Sequence, residues 1–316
     1  MMPIDPGALF NPVQLATPAF IGLVLLELVY ARLTGGARYE VRDTLTSLLM
    51  GLGSVIVGAA FAFLFVDLAR LARPWRVTEL PFTLGVIIAC FLADDFAYYW
   101  WHRASHRMRW LWANHVGHHS SQHYNLSTAL RQPWTGFLTP GLLFKLPLLL
   151  LGFPLSMLVF VGGLNLVYQF WIHTEAIGKL PRPLEFVFNP PVHHRVHHVV
   201  NPLYLDANCA GGFILWDRLF GSFVAEGQKP RDGIVKSLYS FNPLVEASYE
   251  WLGIASDLCR ARSLKEALGL CLGSPGWSAD GSRETSHAIT ARWRARLAHP
   301  ASAPAEWTYL RSGLFI

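Results

Sequence analysis

Nine histidines in helical register constrain this chain more than anything else in it. The segment Trp100–Gln122, WWHRASHRMRWLWANHVGHHSSQ, carries His102 and His106 four apart, then His115, His118 and His119. Positions i, i+3 and i+4 share one face of an α-helix, so each cluster presents its imidazoles in one direction. The pattern returns as His194, His197 and His198 in PVHHRVHHVV, and His173 sits between the two regions in QFWIHTEAI. Neighbours such as His118/His119 and His197/His198 diverge by about 100° on a helix. One residue of each pair can therefore serve one ion and its neighbour a second. A structural zinc site closes with four ligands and a catalytic one uses three. Nine imidazoles are too many for one ion and suit two, each with four or five nitrogens. Imidazole accepts zinc, copper, iron and nickel, so ligand type leaves the metal open.

What surrounds the clusters is apolar. Hydrophobic residues make up 52% of the 316 and charged residues 15%, against about 25% charged in a soluble domain. Mean hydropathy is +0.31. These values indicate a membrane protein with a substantial polar part. The net charge of +5 is spread through hydrophobic flanks, which points to lipid head groups and away from nucleic acid. Cys90, Cys209, Cys259 and Cys271 form no CxxC pair and are read as reduced and structural.

Three spans are expected, at about Pro12–Leu33 (its interior broken by Glu27, with Arg32 at its end), Leu45–Leu71 and Leu80–Trp101. Gly136–Ile172 is apolar and prolines interrupt it; LLLLGFPLS reads as the turn of a membrane hairpin that delivers His173 beside the other clusters. An N-terminus outside would put every cluster in the cytoplasm. Arg38 and Arg42 agree with the positive-inside rule, whereas Arg73 and Arg76 oppose it, a conflict that a shallow or re-entrant placement of the first two segments would resolve. The expected fold is all-α: a polytopic membrane bundle with a cytoplasmic histidine-rich helical cap holding a dimetal site. We read 1–316 as one domain, with spans over 1–101, the catalytic region over 102–240 (hairpin at about 136–172) and a polar C-terminal region over 241–316 carrying two amphipathic stretches.

Four further residues are candidates for a tenth ligand or an outer partner. His193 lies four before His197, Glu175 two after His173, and Asp94 and Asp95 about two turns before His102. A carboxylate can orient a ligand imidazole through its second nitrogen; caps or bundle hydrogen bonds are the plainer roles. His123, His287 and His299 are read as bystanders.

The stretches DDFAYYWWHRASH, HVGHHSSQHYNLSTALRQ, QFWIHTE and NPPVHHRVHH…YLDANCAGGFILWDRLFGSF resemble the fatty-acid hydroxylase/sterol desaturase superfamily of membrane di-iron enzymes. Within it, HHSSQHYNLSTALRQ with QFWIHTE, together with the later GSPGW, is most similar to the alkylglycerol monooxygenase-like branch and its bacterial members. The resemblance implies two irons on His102, His106, His115, His118, His119, His173, His194, His197 and His198, with O2 as co-substrate. The implied reaction inserts oxygen into an unactivated C–H bond of a lipid such as an alkylglycerol, fatty-acyl or sterol-like molecule. The implied reductant is external, tetrahydrobiopterin or a b-type cytochrome or ferredoxin donor, because no stretch resembles a fused cytochrome domain. Desaturation at the same site is the alternative. A zinc hydrolase leaves most of the nine histidines unexplained, and a metal transporter would place its ligands near the bilayer midplane.

Overall fold

The computed structural model describes residues 11–298. Among them there is no strand, only an isolated antiparallel bridge between Val199 and Asp232. The helices are α1 (Pro12–Thr34), α2 (Val41–Ala60), α3 (Ala62–Ala72), α4 (Leu84–Arg107), α5 (Arg109–His119), α6 (Leu146–Leu151), α7 (Leu155–Trp171), α8 (Arg182–Val187), α9 (Pro191–His197), α10 (Leu215–Leu219), α11 (Pro243–Arg260), α12 (Leu264–Leu272) and α13 (Ser286–Ala298).

Three of these, α1, α2 and α4, are long and apolar enough to cross a membrane. Asn11 caps α1 by accepting the Val13 amide at 3.0 Å, with Pro12 in the first turn, where its missing N–H costs nothing. Gly35, at φ +70°, closes the other end. The expected second span is divided: α2 stops at Phe61 and α3 restarts at once. The expected hairpin is present, turning at Gly152, whose φ is +101°. A Cβ there would lie 2.0 Å from the Thr78 carbonyl oxygen, so only glycine serves. The apolar core below the histidines packs α4 against α3, α6 and α7, with Cys90, Leu149, Met157 and Val161 buried.

The first two helices are placed higher than spans of equal depth would be. Phe20 stacks on Phe170 at 4.1 Å, near the end of α7. About two turns further on, Glu27 is buried and accepts the Tyr39 hydroxyl, the Leu126 amide and the Thr174 hydroxyl. The second half of α1 thus runs beside the histidine layer, and Asp43 and Ser47 on α2 contact the same layer. Exposed Leu26, Leu33 and Leu45 continue the apolar surface to that level.

Above the bundle, α11 packs on α5 through Arg109, which bonds Glu250 at 2.6 Å and Asp257 at 2.5 Å. The two amphipathic stretches of the C-terminal region are α11 and α12.

Candidate metal centre

Four chain segments deliver the histidines. His102 and His106 end α4; the chain then breaks at Met108, which is extended, and restarts as α5 with His115, His118 and His119. His173 follows the last turn of α7. The third cluster rides on α9, started by Pro190–Pro191 and ended at His198. The break at Met108 re-aims the second cluster over the first, which a single continuous helix would not do.

The nine residues form two groups. His102, His106, His115, His119 and His197 make one, and His118, His173, His194 and His198 the other. Within each group the nearest ring nitrogens all lie within 4.8 Å of one another, and every member is buried. The adjacent pairs separate as their divergence requires, His118 and His198 to one group and His119 and His197 to the other.

Backbone carbonyls fix the ring orientations. The Nδ1 atoms of His102, His118, His173 and His197 face the carbonyls of Cys209 at 2.7 Å, Arg131 at 3.0 Å, Gln169 at 2.7 Å and Ala207 at 2.8 Å. A carbonyl only accepts, so each Nδ1 carries the proton and each Nε2 is a bare lone pair. The Nε2 atoms of His118 and His173 nonetheless oppose each other at 3.2 Å. In addition, the Nε2 atoms of His106 and His197 are buried with no partner. Protonation does not relieve this, because burial pushes the His118 imidazole down to about 4 and that of His197 to about 3. A cation in each group satisfies every converging lone pair at once. The donor set therefore fits two metal ions, with the second nitrogens held as metal-bound imidazoles require.

His193, Glu175, Asp94 and Asp95 lie outside both groups. His193 donates from Nε2 to the Glu185 carbonyl at 2.9 Å and meets Phe223 edge-on. Glu175 pairs with Arg38 at 3.3 Å, and Asp94 with Lys145. Asp95 accepts from the Gly212 amide at 2.7 Å, the Phe213 amide at 3.2 Å, Trp216 Nε1 at 2.8 Å and Asn165 Nδ2 at 3.0 Å. It thereby fixes the loop whose Cys209 carbonyl orients His102, two steps away from a ligand. Asp95→Ala is expected to leave four donors short, two of them fully buried, and to lower metal retention about 10- to 100-fold, as loss of an outer partner does. Metal content after dialysis against a chelator checks it. His123 and His287 are also outside both groups, and His299 falls outside the described residues.

Sequence reasoning passed over two supports of the centre. Arg131 is fully buried and binds Asp43 at 2.7 Å and Glu246 while its carbonyl receives His118. Asp206 approaches His106 Nδ1 at 3.9 Å and accepts the Ser286 hydroxyl, tying α13 to the first cluster. Asp206 and Asn208 have φ of +59° and +54°, in the region that aspartate and asparagine tolerate best; DAN in a turn was the available signal.

Fold and centre together define a helical membrane protein with a paired histidine site at the end of its bundle. The fatty acid hydroxylase family model matches residues 87–222, which hold all nine histidines. Residues 87–222 thus form a fatty acid hydroxylase domain. Alkylglycerol monooxygenase of Homo sapiens is 38% identical over 270 residues, 84% of this chain and 60% of the relative. That of Danio rerio is 37% identical over 279 residues, with the same coverage. Ornithine lipid hydroxylase OlsE of Rhizobium tropici is 27% identical over 223 residues, 68% of this chain and 66% of the relative. The chain spans about 60% of the length of the alkylglycerol monooxygenases it matches. No solved structure matches it.

Proposed function

We propose that the chain is a membrane-bound di-iron, O2-dependent monooxygenase that hydroxylates an unactivated C–H bond of a lipid. The division of nine buried imidazoles into groups of five and four carries this reading. His102, His106, His115, His119 and His197 hold one iron, and His118, His173, His194 and His198 the other. Bound there, two irons supply O2 activation and C–H oxidation. The balance is one lipid C–H, O2, two electrons and two protons giving the alcohol and water. The electrons come from a separate donor.

The chain's own residues prepare that chemistry. Four carbonyls hold imidazoles in one tautomer, so neither rotation nor proton exchange competes with ligation. Trp112 and Tyr124 close over ligand rings and exclude water, Trp112 at 5.1 Å from His106 and Tyr124 at 5.3 Å from His198. The alkylglycerol monooxygenases and the ornithine lipid hydroxylase among the relatives support a lipid as substrate. We place the histidine end on the cytoplasmic face because Arg38, Arg42, Arg103 and Arg107 gather there, outweighing Arg73 and Arg76 at the far end.

The test is lipid mass spectrometry on hosts expressing the wild-type chain or His118→Ala/His197→Ala, paired with metal analysis of each purified protein. A lipid gaining one oxygen, together with two irons per chain, both lost in the variant, is the expected result. A lipid losing two hydrogens instead would assign a desaturase. Iron-loaded protein that leaves every lipid unchanged under O2 and reductant would overturn the oxygenase.

A further inference from the structure

The two histidine groups differ in what lies against them. A cavity of about 190 Å³ touches His106, His119 and His197, all from the group of five. No member of the group of four lines it. Val199, Val200 and Ile289 give it a buried apolar wall, and the Asp206 carboxylate, 3.9 Å from His106 Nδ1, stands beside the histidines. Half-buried Ile234, Val235 and Tyr249 follow. Charged residues also line it: Arg109 is buried, Glu250, Arg283 and Glu284 are half-buried, and Lys236 is exposed to solvent.

Two observations make this a built chamber rather than a gap between helices. Its charged wall is internally braced, since Asp257 accepts from both Arg109 at 2.5 Å and Arg283 at 2.8 Å. The segment around Pro275 is also held close: Gly276 has φ +80°, and a Cβ there would lie 2.1 Å from the Glu284 carbonyl oxygen. Tyr249, Pro275, Arg283 and Ile289 all belong to the region after residue 222, outside the stretch matched by the family model.

The geometry points to this cavity as the site where an amphiphilic lipid presents its reacting carbon. An aliphatic segment lies along Val199, Val200, Val235 and Ile289 with its end against His106, His119 and His197. The polar head stays among Arg109, Glu250, Arg283 and Lys236. A buried apolar wall that reaches the histidines, with charged groups across from it braced by their own ion pairs, is the polarity such a ligand needs, because its chain meets apolar surface and its head meets polar groups. The assignment rests on the lipid-hydroxylase reading and makes it specific. The substrate reaches the group of five from beneath α11 and α13, not through a slot between the spans. Selection among lipids then draws on residues after 222 together with Arg109, Val199 and Val200, whereas the histidines all lie within 87–222.

Photolabelling tests the site without relying on turnover. Full-length protein in detergent is irradiated with a single-chain lipid that carries a diazirine at the end of its aliphatic chain. Labelled peptides are then mapped by mass spectrometry. The expected result is label on Val199–Leu205, Ile234–Val235 or Ile289 that excess unlabelled lipid competes away and Val235→Trp abolishes. In the metal-loaded enzyme, Val235→Trp and, separately, Ile234→Trp are expected to keep wild-type metal content. Product formation should fall by on the order of 100-fold, the scale of a misplaced reacting carbon. Competable label confined to α1, α4 or α7, or a Val235→Trp enzyme as active as wild type, overturns the cavity. If no lipid is ever oxidised but the cavity is labelled, the hydroxylase reading fails while the binding site stands.

Discussion

His173→Ala is expected to empty the group of four and to abolish lipid oxidation, with product falling more than about 100-fold, beyond the loss seen for outer partners of a ligand. The group has four members, so the variant keeps three imidazoles, and His118 loses the ring that opposes it at 3.2 Å. His115→Ala in the other group leaves four ligands and should retain more metal. Metal analysis of the two variants side by side decides between them. Equal loss from both would mean that the two groups are not separate sites. Full retention in His173→Ala would remove His173 from the ligand set.

Breaking the buried ion cluster on Arg131 should be the largest stability effect outside the histidines. Arg131 has no solvent exposure, and Asp43 and Glu246 are nearly as enclosed. Arg131→Met leaves two carboxylates facing each other out of water, a change that costs about 3–5 kcal/mol when one partner of such a cluster is removed. The triple replacement Arg131→Met/Asp43→Asn/Glu246→Gln should recover much of that loss, because no uncompensated charge remains. Thermal unfolding in detergent checks both, with the single variant expected to melt well below the triple. A single variant as stable as wild type would show that the cluster contributes nothing net. The carbonyl of Arg131 also receives His118 Nδ1, so the single variant should hold the metal of the group of four less tightly.

The grouping of the histidines was readable from the sequence because spacing on a short helix is local, and local spacing is what a sequence displays. The HxxxH and HxxHH patterns fixed which imidazoles share a face. The adjacent pairs at His118 and His197 already implied two centres. The supports were not readable, since each is a meeting of residues far apart in the chain. Glu27 looked like a lone acid in an apolar run; it reaches Leu126 and Thr174. Asp95 stood two turns from His102 and suggested a direct partner, yet it bonds a loop more than a hundred residues later. His193 satisfied the i+4 rule toward His197, but the Glu185 carbonyl holds its Nε2 elsewhere. Hydrophobic length marked the first two helices as spans, and only the conflict at Arg73 and Arg76 pointed to a shallower placement. Their height relative to α7 depends on where Glu27 and Asp43 are anchored, which is tertiary information.

The ligands' scatter along the chain has a consequence for how the protein is made. The group of five is complete only once His197 has been synthesised and the group of four only once His198 has, after α1 to α8. Neither group can close on an ion until segments from α4 to α9 have come together. Until an ion arrives, opposed lone pairs such as those of His118 and His173 stay unrelieved, and imidazole alone does not choose among iron, zinc, copper and nickel.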